Sequence, residues 1–415
     1  MNELRAIHEM VSKCARCGDC QSVCPIYRET KREGSVARGR LSLLRFVSEE
    51  ELPFDGEVKD RIYECLMCGS CEANCSSKVP VTDILFAAKE ALAKGKGPLI
   101  QQLMFKHFLP YPGRLKLTNR LLKIYQNTGL RALLRKSGII NVLGPLAKAE
   151  DIIPQITPTF RDQQGKMEKK PKNPKHKIGF FLGCASNILK PDQAIAAVNM
   201  LRKMGCQVEV PETICCGLPV VTYGRSEIIR ELAKKNIEIL LQGDYEYVVS
   251  DCVSCSSQLI HYPKFFNDDD PYYEKALELS SKVIDFAHLL SKIDQMKKLS
   301  NEKQTITFHV PCHMARGLKA VQESKEILKS IQGIKYVELP DADTCCGAAG
   351  SYLATHPDLS KAVLRRKMEN IRATGANVVV TSCPMCVMQL ERGAKLFDVP
   401  VEVRHLAEIV SETLK

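Results

Sequence analysis

The chain contains no tryptophan, and none of its apolar runs approaches the roughly 20 residues that a bilayer-spanning helix needs. Helical membrane channels and carriers are thereby excluded, and a chain that folds in water is expected. No apolar leader opens it, because residues 1–13 mix Glu3, Arg5, His8 and Glu9. There is also no G-x-G-x-x-G following a strand-like run, so the usual fingerprint of a bound dinucleotide is missing. Acidic residues are absent between Glu90 and Glu150, where Lys94, Lys96, Lys106, Arg114, Lys116, Arg120, Lys123, Arg131, Arg135, Lys136 and Lys148 stand unopposed. Those eleven charges equal the formal net charge of the whole chain, +11. A length of 415 residues fits two to four domains.

What is abundant is cysteine. Of nineteen, eighteen fall into two internal duplications, and Cys206 alone is left over. Cys14, Cys17, Cys20 and Cys24 recur 51 positions later as Cys65, Cys68, Cys71 and Cys75. Cys184, Cys215-Cys216, Cys252 and Cys255 recur as Cys312, Cys345-Cys346, Cys383 and Cys386, at offsets of 128 to 131. Without a leader, thiols are expected to stay reduced, and clustered reduced thiols bind metal or do chemistry instead of forming disulfides. A cytoplasmic protein is expected.

The run from Cys14 to Pro25 has the bacterial ferredoxin pattern C-x-x-C-x-x-C-x-x-x-C-P. Three closely spaced thiolates wrap one corner of a cluster while the fourth reaches across to the other cluster. By that rule Cys14, Cys17, Cys20 and Cys75 hold one 4Fe-4S cluster, and Cys65, Cys68, Cys71 and Cys24 hold a second. Zinc ribbons and idle buried thiols are the competing readings, and two copies in register weigh against both. Ser76 departs from the pattern, standing where the second copy would place proline. The segment Gly39 to Val47 has helical apolar spacing, which favours an all-helical two-cluster domain. Gly18 and Gly69, at matching places, are expected to bring backbone amides near cluster sulfur.

Each later repeat shows strands alternating with helices. The first has strands over Ile178–Leu182, Gln207–Val210 and Tyr247–Ser250, with helices marked by Ala194, Ile195, Val198 and Leu201 and by Ile228, Ile229, Leu232 and Leu240. The second has strands over Ile306–Val310, Lys335–Leu339 and Asn377–Thr381. Such alternation predicts parallel sheets. Every cysteine set then lies at the carboxyl ends of strands, where ligands gather in open α/β sheets.

The order of Cys184, then Cys215-Cys216-Gly217, then Cys252-x-x-Cys255, with its second copy closed by Gly347, resembles the cysteine-rich "CCG" domain. That domain occurs in heterodisulfide reductase, glycolate oxidase iron-sulfur subunits, lactate utilisation proteins and the C subunit of anaerobic glycerol-3-phosphate dehydrogenase. Ala37-Arg38-Gly39-Arg40-Leu41 and Val403-Arg404-His405-Leu406-Ala407 are similar to segments of the glycolate oxidase subunits. Pro311-Cys312-His313-Met314 is equally similar to the glycerol-3-phosphate type. The resemblance implies that Cys184, Cys215, Cys216, Cys252 and Cys255, and likewise Cys312, Cys345, Cys346, Cys383 and Cys386, bind metal. One or two further 4Fe-4S clusters, non-cubane in heterodisulfide reductase, or zinc, would sit there; thiolate suits both.

The expected architecture is therefore α+β and multidomain: a helical ferredoxin domain (1–95), a basic helical connector and linker (96–176), and two α/β CCG domains (177–295 and 296–415). Within the connector, Arg161–Lys177 has the composition of a solvated linker. The basic stretch admits three readings: a dock for an acidic partner subunit, a contact with an anionic membrane surface near the quinone pool, or a cover over the neighbouring domains. No nucleic-acid reader motif accompanies the charge. His313, beside Cys312, is a weak catalytic candidate as a proton donor; the blander reading makes it a hydrogen-bonding support of the metal loop. Cys206 reads as a small buried hydrophobe at the end of a helix.

With no flavin or nicotinamide site in this chain, oxidation of a substrate is expected on a partner. The implied function is an electron-transfer subunit between an FAD- or FMN-containing 2-hydroxyacid dehydrogenase of the glycolate or lactate type and a quinone or other carrier, with a place on the inner face of the membrane left open. Two alternatives are retained: a heterodisulfide reductase-like catalytic subunit and a glycerol-3-phosphate dehydrogenase C-type subunit. A zinc-stabilised scaffold carrying one electron-transfer head is a third reading, separable by metal count.

Overall fold

The computed structural model describes residues 2–93, 99–128, 133, 137, 153–293 and 300–413. The first region is entirely helical, from Asn2–Val11 through Ala37–Ser48 and Gly56–Tyr63 to Val81–Leu92. Leu41, Leu44, Ile62, Ile84 and Leu85 supply its core, and the sulfur-bearing loops pack against that core. Gly39 explains why the helix of Ala37–Ser48 can lie so close to the preceding turn: a Cβ there would sit 1.9 Å from the carbonyl oxygen of Glu33.

Two four-stranded sheets follow, both wholly parallel. The first contains β1 (His176–Phe180), β2 (Cys206–Glu209), β3 (Tyr247–Ser250) and β4 (Val283–Asp285), in the spatial order β2-β1-β3-β4. The second repeats that order as β6-β5-β7-β8, from β5 (Ser300–Phe308), β6 (Gln332–Val337), β7 (Val378–Thr381) and β8 (Glu402–His405). Ile178 pairs with Val208 on one side and Tyr247 on the other; Ile306 pairs with Tyr336 and Val378 in the same way. The helical first region followed by two parallel α/β sheets is the fold class that the alternation and the motifs led us to expect.

The fourth strand of each sheet was not anticipated. β4 and β8 are only three and four residues long, and each runs directly into a helix, Phe286–Lys292 or Leu406–Thr413, so no turn residues announce them. Cys206 also differs from expectation: it opens β2, paired with His176, instead of ending a helix, although it is fully buried as supposed. The segment expected to be a solvated linker begins folded. Phe160 is fully buried, a capping box joins Thr159 and Asp162, and Arg161 donates to the carbonyls of Val210 and Pro211.

The two repeats share one hydrophobic core. Val253 N donates to Ser382 O across the junction at 3.1 Å, and the equivalent position in the second repeat is Pro384, which has no N–H to return the bond. Lys190 pairs with Glu391 at 2.6 Å, and His405 Nε2 meets Asp251 O at 2.9 Å. The ferredoxin region joins this body through Arg28–Asp341 and Arg366–Glu29 pairs, each 2.7 Å, and through Tyr352, whose hydroxyl donates to Glu64 O. Between them, Leu99–Gln102, a π turn over Leu103–Phe108 and the helix Pro112–Asn127 carry the described part of the basic stretch. Lys94, Lys96, Arg131, Arg135, Lys136 and Lys148 lie outside the described residues.

Candidate metal centres

The duplicated ferredoxin motif folds as a duplicated loop. Arg16 and Met67, 51 positions apart, both take left-handed backbone (φ 56° and 54°), and so do Gly18 and Gly69 (φ 98° and 72°). Each glycine then begins a short helix, Asp19–Val23 or Ser70–Ala73. The glycines are needed for this turn, a conformation that a side chain strains. Amides that reach sulfur in this region include those of Met67, 3.4 Å from Cys65 Sγ, and Tyr27, 3.4 Å from Cys24 Sγ. Gly69 serves the interface as well, since a Cβ there would stand 3.2 Å from the Arg316 side chain of the second repeat.

The eight thiols grade from solvent inward. Cys17 is exposed, Cys14, Cys20, Cys65, Cys68, Cys71 and Cys75 are half-buried, and Cys24 is buried. Burial pushes the Cys24 thiol above its ordinary value, while the charge of Arg40 pulls it back. Burial likewise raises Cys71, where Arg40 again opposes the shift. Sequence reasoning passed over this arginine, which is 2% exposed and leaves Nη2 without a hydrogen-bond partner while Nε donates to Arg61 O. Lys89 was missed too. It is buried with Nζ 3.4 Å from Cys65 O, and burial lowers its pKa to about 8. Two buried cations against one set of thiols fit an anionic centre at that place.

In the CCG repeats all ten cysteines come to the carboxyl ends of their strands. Cys184 and Cys252 follow β1 and β3, the adjacent central strands between which the chain order reverses, and Cys312 and Cys383 follow β5 and β7 in the same relation. The glycine closing each CCG turn is left-handed, and its amide donates to the first sulfur of the pair: Gly217 N to Cys215 Sγ at 3.5 Å, Gly347 N to Cys345 Sγ at 3.4 Å. Cys184 Sγ lies 4.0 Å from Cys215 Sγ, and Cys346 Sγ lies 3.6 Å from Cys386 Sγ. The two sets meet at Cys252 and Cys383, which interact directly. None of the cysteines is disulfide-bonded.

All CCG cysteines except Cys215 line one cavity of about 1330 Å³, and Cys68 and Gly69 of the ferredoxin region close its wall. Cys68 packs in one buried cluster with Cys312 and Cys345. His313 lines the same cavity, its Nδ1 lying 3.1 Å from Ser254 Oγ and 3.8 Å from Cys312 Sγ. Ser254 Oγ is in turn 3.5 Å from Cys383 Sγ, so a hydroxyl links the second repeat's histidine to its sulfur. Sequence inspection also overlooked His309, fully buried at the end of β5 and set among Cys346 and Cys386, with donor atoms within 4.8 Å of one another. A signal existed: His309 precedes Cys312 by three positions, as Phe181 precedes Cys184.

Family comparisons agree with these three regions. A 4Fe-4S dicluster domain matches residues 10–79, the linker region of the glycolate oxidase iron-sulfur subunit matches 96–153, and the CCG cysteine-rich domain matches 178–260 and 306–391. A probable glycolate oxidase iron-sulfur subunit of Bacillus subtilis is 30% identical over 96% of this chain and 93% of its own length. The chain belongs to the glycolate oxidase iron-sulfur subunit family. Members of related groups align over long stretches as well. One component of the dihydromethanophenazine:CoB–CoM heterodisulfide reductase of Methanosarcina mazei is 25% identical over 97% of this chain and 94% of its own. Lactate utilization protein A of Halalkalibacterium halodurans is 30% identical over 57% of this chain and 96% of its own. The chain is thus an iron-sulfur subunit akin to those of oxidoreductase complexes. No described helix is long and apolar enough to cross a membrane.

Proposed function

We propose that the chain relays electrons between a flavin-containing 2-hydroxyacid dehydrogenase, of the glycolate or lactate type, and a quinone or other carrier. Cys14, Cys17, Cys20 and Cys75 hold the outer 4Fe-4S cluster, and Cys65, Cys68, Cys71 and Cys24 the inner one. The CCG thiolates hold the further metal centres. When bound, these clusters supply one-electron steps over a wide range of potentials. The protein's part is to seat them in order, keep the inner ones dry and tune them with the charges of Arg40 and Lys89.

The single observation that carries this reading is the shared cavity, on which the inner ferredoxin loop and both CCG cysteine sets open. In this reading the path runs from the exposed Cys17 end through the inner loop to the junction of the repeats. The names glycolate and lactate enter through relatives alone. The test is anaerobic mixing of the cluster-loaded chain with its cognate flavoprotein and glycolate or lactate. Visible cluster absorption is expected to bleach only when flavoprotein and hydroxyacid are both present. Bleaching by hydroxyacid without flavoprotein, or none with it, contradicts the relay.

A second reading is favoured by the same cavity, because His313 and the sulfurs surround enough space for a small substrate. There a disulfide would be reduced at the CCG centre, with His313 supplying a proton. Reduction of a disulfide by the isolated, dithionite-reduced chain would favour it.

A further inference from the structure

The basic connector carries most of the chain's uncovered apolar surface. Among the described residues eleven large apolar side chains stand exposed, and seven of them fall between Leu103 and Leu133. Three share one face of the helix Pro112–Asn127: Leu117, Leu121 and Ile124, at i, i+4 and i+7, are 58%, 58% and 56% exposed. The opposite face is already engaged. Asn119 is buried with Nδ2 3.5 Å from Thr157 O, Gln126 donates to Pro154 O and accepts from Ile156 N, and Lys116 pairs with Asp162 at 2.7 Å. The helix is thus held against residues 154–162 with its aliphatic stripe turned outward. A second apolar face calls for a second apolar contact.

Charge indicates what that contact is. Arg114, Arg120 and Lys123 are exposed around the stripe, and between Glu90 and Glu150 the sequence has no acid to pair with them. Tyr111, exposed at the start of the helix, has Arg114 4.4 Å and Lys235 of the first repeat 5.6 Å from its ring centre, so the cationic face continues onto the α/β body. A protein partner is recognised by charges arranged to fix its register. Aliphatics set among Lys and Arg alone fix no register, and suit a surface that is negative throughout, the headgroups of an anionic bilayer. A second copy of the chain would meet this face with charge of the same sign.

The connector also covers a cysteine loop. Phe105 and Leu109, just before the helix, pack in one cluster with Cys215 and, at its edge, Cys184, and the helix Cys184–Ile188 touches Pro112–Asn127. These thiols therefore lie behind the connector, on the order of 10 Å from its outer face, about one helix thickness. Resting on the reading that the chain relays electrons to a quinone, we propose that the outer face of Pro112–Asn127 docks on an anionic membrane surface. Leu117, Leu121 and Ile124 enter the headgroup region, and Arg114, Arg120 and Lys123 meet the lipid phosphates. Docking in this way brings the first repeat's centre to the lipid side of the molecule, where a quinone in the bilayer takes two electrons, one at a time, and two protons from water.

The test is flotation of the full, cluster-loaded chain with vesicles of phosphatidylcholine alone and of phosphatidylcholine mixed with phosphatidylglycerol. Binding is expected to the mixed vesicles only, and to weaken as salt rises. Arg120→Gln combined with Lys123→Gln is expected to weaken it about 25-fold, roughly fivefold for each charge lost at the surface. Leu117→Glu combined with Leu121→Glu is expected to abolish it. Both pairs exchange exposed side chains, so cluster absorption should be unchanged; if a pair does not fold, the lipid dependence of the unaltered chain decides. No flotation with the mixed vesicles, equal flotation with both kinds, or full binding by folded variants overturns the proposal. So does a variant that still floats but no longer associates with the cognate flavoprotein, which would assign the face to a protein. The bleaching experiment above contains no lipid, so the relay and the docking fail separately.

Discussion

At the scale of single residues, the charges behind the inner ferredoxin loop matter most. A buried positive charge stabilises the more negative, reduced form of a neighbouring cluster and so raises its potential. Arg40 faces Cys24 and Cys71, which belong to the inner set, whereas the half-buried Arg38, beside Cys20, is paired with Glu33. Arg40→Gln is therefore expected to lower the inner cluster's midpoint by on the order of 100 mV, the interaction of one charge at about 8 Å and an effective dielectric near 20. The outer cluster should be nearly unmoved. A redox titration followed by electron paramagnetic resonance measures both, and equal shifts or no shift would remove Arg40 from this role. Cysteine spacing made the thiols legible in the sequence; Arg40, Lys89 and His309 were not, because burial and the direction a side chain faces are properties of packing. Only the comparison of His309 with Phe181 could have flagged one of them in advance.

Among the elements, the tight packing of the helix Ala37–Ser48 on the turn Glu33–Ser35 is the most exposed to a small change. Gly39→Ala would drive a Cβ into the Glu33 carbonyl. Backbone cannot swing aside as a flexible side chain can, so a loss of about 1–3 kcal/mol is expected, the usual range for overpacking. Thermal unfolding of the cluster-loaded protein checks it: an unchanged midpoint would show that the turn gives way freely. The central strands were readable because β3 and β7 are short apolar runs between helices. β4 and β8 were not, since a strand of three or four residues that becomes a helix carries neither a period nor a boundary. Only the start of the linker was misjudged, for a related reason: composition registers the lysines of 169–172, but not that Arg161, next to the buried Phe160, docks on the first sheet.

Over the whole molecule, duplication sets the design. One internal copy gives two loops with the same left-handed turns at 16 and 18 and at 67 and 69; another gives two parallel sheets of one strand order. Joining these pieces is what the sequence could not display, because the junctions consist of scattered contacts such as Arg28–Asp341, Val253–Ser382 and Lys190–Glu391. The junctions create the cavity, and the cavity brings three cysteine arrays into one electrical neighbourhood. Burial holds several of the bare thiols above their ordinary pKa, so loading with metal must release protons and should weaken as pH falls.

The most direct measurement is iron and acid-labile sulfide per chain in protein purified and kept without oxygen. About 12 to 16 of each is expected, four for each of three or four clusters. Material lacking labile sulfide, its thiols free or paired as disulfides, would contradict the claim that these cysteines hold electron-carrying centres.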